Sequence, residues 1–104
     1  MDAPSGTALA LADAINEALD DRLTYVYDRS QRKAARPHEE LGISAVRGGT
    51  LPGVHDIIFA GEDEVITFNH TAYSRAIFAN GALNAALFLN GKAAGMYSMQ
   101  DVLA

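Results

Sequence analysis

The sequence predicts an α+β fold, with two main helices packed on one face of a mixed, mostly antiparallel four-stranded sheet. Three observations lead to this class. The first residues are followed at once by a segment of helical periodicity, the middle of the chain holds short segments rich in β-branched and aromatic residues, and a long apolar helix with a short terminal one closes the chain. The 104 residues are expected to form one domain.

The first helix is predicted from Thr7 to about Leu19. Its apolar side chains recur at helical spacing and its polar side chains take the other face. The apolar positions are Ala8, Leu11, Ala12, Ile15, Ala18 and Leu19.

Four strands are predicted at residues 23–27, 43–47, 54–60 and 65–71. Residues 61–64, Gly-Glu-Asp-Glu, join the last two as a hairpin. The polar residues 28–40, with four Lys and Arg side chains, predict a long exposed loop.

The second helix is predicted from Ser74 to about Leu89. Gly91 follows its end and is expected to adopt the left-handed conformation that commonly terminates a helix. Ser98 and Asp101 have the spacing of a capping box, which predicts a short terminal helix.

Composition excludes several classes of function. The net charge is -5, which argues against a nucleic-acid partner, and the absence of cysteine removes disulfides, thiolate nucleophiles and zinc–thiolate sites. No apolar run is long enough to span a bilayer, and the acidic start does not resemble a signal peptide. The expected location is the cytoplasm, with no membrane partner.

The third predicted strand carries bulky apolar residues on both alternating faces. Val54 and Ile58 lie on one face, and Ile57 and Phe59 on the other. A sheet with one solvated face alternates more cleanly. Because two helices cover one side of so small a sheet, we expect the other side to be buried against another copy of the chain.

The segment Asp2-Ala3-Pro4-Ser5-Gly6-Thr7 precedes the first helix and predicts an anion site. The free N–H groups of a helix's first turn and its dipole attract negative charge. Gly6 allows close approach of a ligand to the backbone, and Ser5 and Thr7 add hydroxyl groups. The same pattern also fits a plain N-cap at Ser5 or Thr7, with Pro4 in the first turn.

Five segments resemble the 4-hydroxy-tetrahydrodipicolinate reductase family, long called dihydrodipicolinate reductase. They are D-A-P-S-G-T-A-L at 2–9, R-x-G-x-x-x-G-x-H at 47–55, H-x-A-x-S-R at 70–75, F-A-x-G-A at 78–82 and G-x-Y/F-x-M-x-D-V-L at 95–103. The resemblance implies a two-domain enzyme of the diaminopimelate branch of lysine biosynthesis. It reduces a cyclic dicarboxylate with NADH or NADPH and forms tetramers through its second domain, which this chain resembles.

The resemblance also implies site residues. Gly6 and Thr7, with Ser5, match substrate-carboxylate contacts, and Arg75 and Phe78 match a segment near the nicotinamide, although a surface Arg and a core Phe fit equally well.

The family's catalytic His pair and Lys precede the position of Asp2, so no catalytic residue is assigned here. We expect an inactive C-terminal substrate-binding and tetramerisation domain, with Met1 introduced as a start, the Rossmann domain absent and no cofactor bound by the fragment alone.

The histidines at positions 38, 55 and 70 lack metal-ligand spacing, so no metal is expected. A hypothesis of another class also fits the sequence: a self-sufficient oligomerisation or small-anion-binding module.

Overall fold

The computed structural model describes residues 3–104, which form two compact units, one ending at Gly49 and the other running from Thr50 to Ala104. Both units contain helix and strand, so the predicted α+β class is confirmed. The described strands form two two-stranded sheets, one in each unit, and the prediction of one four-stranded sheet is not confirmed.

The first unit contains α1 (Gly6–Ala18), β1 (Thr24–Tyr27), a 3₁₀ turn (Arg29–Gln31) and β2 (Glu40–Ile43). β1 and β2 are parallel, with Thr24 opposite Glu40 and Tyr27 opposite Ile43. Parallel neighbours need a connection of about a dozen residues or more, and residues 28–39 provide it. The buried apolar side chains of this unit are Ala12, Val26 and Ile43.

β2 lies earlier in the chain than predicted, since it ends at Ile43, where the predicted strand began. Its first residue, Glu40, forms an ion pair with Arg29. The side chain of Glu40 is only 4% exposed. The polar segment 28–40 is therefore not a simple exposed loop, because it contains the 3₁₀ turn and the first residue of β2.

The second unit contains β3 (Gly53–Gly61), β4 (Glu64–Ala72), α2 (Ala76–Leu89) and α3 (Met99–Leu103). β3 and β4 form the predicted antiparallel hairpin, with Gly61 opposite Glu64 at the turn. The prediction for Gly91 is confirmed by its φ of 80°, and both hydrogen bonds of the Ser98–Asp101 capping box are present.

Candidate functional site at the start of α1

The N-terminus of α1 is capped by Ser5. This residue has extended backbone angles (φ −71°, ψ 148°), and its Oγ accepts the N–H of Ala8 at 3.0 Å. The Ser5 carbonyl accepts the N–H of Leu9 at 3.1 Å. Ser5, rather than Thr7, is therefore the N-cap, and Pro4 precedes the helix instead of lying in its first turn.

Gly6 and Thr7 follow the cap and are both exposed. Their N–H groups point out of the helix end, where helical geometry provides no acceptor. Apart from its chain neighbours and its own helix backbone, no described residue would come within 4 Å of a Cβ added to Gly6, so no described neighbour fills the space in front of this residue. The α1 mouth, defined here as the backbone N–H groups of Gly6 and Thr7 with the Thr7 hydroxyl, can thus accept an anion without displacing described neighbours.

An open cleft of about 320 Å³ lies beside the segment that leads into α1. It separates that segment from the carboxyl ends of β1 and β2. Its lining consists of Ala3, Pro4, Tyr27, Asp28, Ile43, Ser44 and Ala45. The α1 mouth does not line this cleft, so the two features are distinct.

Two carboxyl groups order the loop that follows β1. Asp28 has a left-handed φ of 56°, and its Oδ1 accepts the N–H of Ser30 at 3.1 Å. This hydrogen bond holds the pKa of Asp28 below its ordinary value. The Arg29 guanidinium similarly lowers the pKa of Glu40 by donating two hydrogen bonds to it. Both carboxyl groups are therefore used in local structure.

The predicted cofactor-proximal residues lie at the start of α2, in the second unit. Arg75 is the N-cap and makes no side-chain capping hydrogen bond, whereas the Ser74 Oγ accepts the N–H of Ala76 at 3.1 Å. Phe78 is 52% exposed, and its ring lies 6.5 Å from that of His70. Phe78 therefore contributes to packing as well as offering an exposed ring surface.

Phe78 lies beside Gly53 of the hairpin, a contact that sequence reasoning missed. A Cβ on Gly53 would lie 3.9 Å from the Phe78 ring and 4.0 Å from the Ala72 side chain, both ordinary van der Waals distances. The spacing from 53 to 78 carries no periodic signal, so only tertiary structure shows this contact.

The histidines of the hairpin face each other in register, His55 opposite His70. Residues 3–104 contain no group of three or more His, Cys, Asp or Glu placed to hold a metal ion. Within the same residues, no helix is both long and apolar enough to cross a membrane.

A sequence model described as "Dihydrodipicolinate reductase, C-terminus" matches residues 1–103. The chain belongs to this family. It is 55% identical over 102 residues to a 4-hydroxy-tetrahydrodipicolinate reductase of Caldanaerobacter subterraneus subsp. tengcongensis, and 50% identical over 103 residues to one of Clostridium tetani. A reductase of the same name from Staphylococcus epidermidis is 52% identical over 102 residues.

These alignments cover 98%, 99% and 98% of this chain but only 41%, 40% and 42% of the respective relatives. The chain thus spans about two-fifths of the length of the curated relatives it matches. Family membership confirms the resemblance carried by the five sequence segments.

Proposed function

We propose that this chain is the substrate-binding part of a 4-hydroxy-tetrahydrodipicolinate reductase, and that the α1 mouth binds a carboxylate of the cyclic dicarboxylate substrate. The observation that carries the proposal is the open space in front of Gly6 beside a first-turn N–H group at Thr7. The three reductases at 50–55% identity support the assignment of the reaction.

The α1 mouth suits a carboxylate for electrostatic and geometric reasons. The N-terminus of a helix carries roughly half a positive charge, and its first N–H groups point out of the helix end toward a ligand. The Ser5 cap occupies the Ala8 N–H and leaves those of Gly6 and Thr7 for a ligand. No acidic side chain occurs in the first turn of α1 to compete with an incoming carboxylate.

NADH or NADPH supplies the hydride for this reduction when it is bound. This chain fits only part of such a cofactor. The two places where a described strand leads into a helical segment, residues 27–29 and 72–76, lack the glycine that a diphosphate-binding turn needs. We assign to this chain only Arg75 and Phe78, as neighbours of the nicotinamide end, and the diphosphate site to the remainder of the complete enzyme.

Catalysis in this proposal needs the complete enzyme. The role of this chain is to bind and orient the substrate, a contribution that acts through positioning rather than through bond chemistry. We therefore expect this chain alone to produce no turnover.

The Thr7→Val substitution tests the site, because it removes the hydroxyl and preserves the branched shape. In the complete reductase that carries this chain, we expect the KM for the dicarboxylate substrate to rise about tenfold, since losing a hydrogen bond to a charged group costs about 1.5 kcal/mol or more. Thr24→Val, at an exposed position of β1, is the matched control. An unchanged KM in Thr7→Val would remove Thr7 from the site.

We also propose that the chain assembles with copies of itself through the β3–β4 hairpin, as tetramers in the complete enzyme. One face of the hairpin exposes Ile58 (64%), Val65 (62%) and Val54 (47%). Exposed apolar surface of this kind marks interfaces.

Ile58→Lys tests this assembly by placing a charge at the centre of that face. We expect it to lower the mass measured by sedimentation at tens of micromolar protein, whereas Glu62→Lys at the exposed turn should leave it unchanged. A wild-type chain that sediments as a monomer at this concentration would contradict the proposal.

A further inference from the structure

Polar contacts in the C-terminal half of α1 join it to the rest of the first unit. Ala12 is its one buried residue, and Leu9, Leu11 and Ile15 are half-buried. The side chain of Asn16 forms two hydrogen bonds with the backbone of Leu23. Its Oδ1 accepts the Leu23 N–H at 2.8 Å, and its Nδ2 donates to the Leu23 carbonyl at 3.3 Å. Two hydrogen bonds between the same two residues fix both the distance between α1 and Leu23 and their relative orientation.

A second polar contact joins α1 to β1. The hydroxyl of Tyr25 donates to Oδ1 of Asp13 at 2.6 Å. This hydrogen bond raises the pKa of Tyr25, so the hydroxyl stays protonated and remains a donor at neutral pH. Asp13 lies about one turn from Asn16, so the two contacts hold neighbouring turns of the helix.

The segment that leads into the opposite end of α1 borders an open cleft. Ala3 and Pro4, which lead into the helix, face the ends of β1 and β2 across the open cleft of about 320 Å³. Gly6 lies about 15 Å along the axis from Asn16, at 1.5 Å per residue. A tilt of about 5° at Asn16 would therefore move the α1 mouth by about 1.3 Å. This exceeds the range of roughly 0.5 Å within which hydrogen-bond lengths vary.

We propose that Asn16, supported by the Asp13–Tyr25 hydrogen bond, is a positioning residue that sets the direction of the α1 mouth toward the carboxylate of the substrate. The inference rests on the proposed function of the α1 mouth. Asn16 itself does not touch the substrate, because it lies about 15 Å, or just under three turns of α1, away from Gly6.

The first test measures the direction of α1 by residual dipolar couplings of the backbone amides, in the chain itself. In Asn16→Ala we expect the α1 axis to tilt by more than about 5° relative to β1 and β2, with the strands unchanged. Glu17→Ala is the control, because this exposed neighbour lies in the same turn. An unchanged α1 direction in Asn16→Ala overturns the inference.

Tyr25→Phe keeps the test decisive if Asn16→Ala does not fold. It removes only the hydroxyl, and we expect a smaller tilt in the same direction. A Tyr25→Phe chain with the wild-type orientation would then overturn the inference.

The second test uses the complete reductase that carries this chain. We expect Asn16→Ala to raise the KM for the dicarboxylate substrate at least fivefold, while kcat and the KM for the nicotinamide cofactor stay within twofold. A general loss of folded protein would not raise the substrate KM while kcat and the cofactor KM stay within twofold. A tilted helix with an unchanged substrate KM would instead refute the α1 mouth as the carboxylate site, which separates failure of the proposed function from failure of the positioning role.

Discussion

Gly6→Ala should stabilise the fold and weaken the ligand site at the same time. Gly6 is the first residue of α1, and its φ is not among the positive values of this chain. An added Cβ meets no atom of a described residue within 4 Å, beyond its chain neighbours and its own helix backbone. Alanine is therefore accommodated without strain, and it reduces the conformational entropy of the unfolded chain. We expect the free energy of unfolding to rise by about 0.5 kcal/mol.

The effect on ligand binding should have the opposite sign. The methyl group would project into the space in front of Gly6, which we assign to the carboxylate. Displacing the ligand from one first-turn N–H removes a hydrogen bond to a charged group, which costs about 1.5–3 kcal/mol. The KM for the dicarboxylate substrate should therefore rise roughly 10- to 150-fold in the complete reductase.

Gly81→Ala provides the matched control for this prediction. Gly81 lies inside α2, and a Cβ added there also meets nothing within 4 Å. This substitution should stabilise the chain by about 1 kcal/mol, the difference in helix propensity, and leave the substrate KM unchanged. Urea unfolding and steady-state kinetics measure the two quantities separately. If Gly6→Ala binds substrate as the wild type does, the assignment of the α1 mouth is refuted.

Two further predictions concern stability. Ser5→Ala removes the oxygen that accepts the Ala8 N–H, and should lower the free energy of unfolding by about 1 kcal/mol in urea titrations. Ser98→Ala should lower the free energy of unfolding by less than Ser5→Ala does, because the five-residue α3 can fray locally. Equal decreases in the two variants would contradict this. Arg29 lowers the pKa of Glu40, so the ion pair stabilises the fold above the ordinary pKa of a glutamate and loses this effect as the pH falls through the lowered value. Measured by urea titration, the free energy of unfolding should therefore fall less between about pH 7 and about pH 3 in Glu40→Gln than in the wild type. Equal decreases would argue against the ion pair.

The elements that the sequence predicted well are those whose signals are local. β3, β4 and α2 begin and end within two residues of the predicted bounds, because strand-forming residue types, a hairpin turn and helical spacing are signals of neighbouring positions. The capping box of α3 and the left-handed Gly91 were predicted for the same reason.

β2 was predicted wrongly because its pairing is not local. Its strand begins at Glu40, a residue that composition assigns to a loop, and this carboxylate is tolerated there because Arg29 neutralises it from 11 residues away. The parallel pairing with β1 depends on the course of residues 28–39, which carry no periodic signal. Strand composition indicates where a strand can form, and it does not identify the partner or the sheet.

The same distinction applies to the candidate site. The Ser5 cap, the flexible Gly6 and the Thr7 hydroxyl are consecutive, so the chemistry of the α1 mouth could be predicted from a short segment. The direction of that mouth depends on the hydrogen bonds of Asn16, whose partner lies seven residues away, and of Asp13, whose partner lies twelve away. A substitution at Asn16 should therefore impair the site while the recognisable segment stays intact. The presence of this segment in a sequence shows that the α1 mouth can form, and the contacts at the far end of α1 determine where it points.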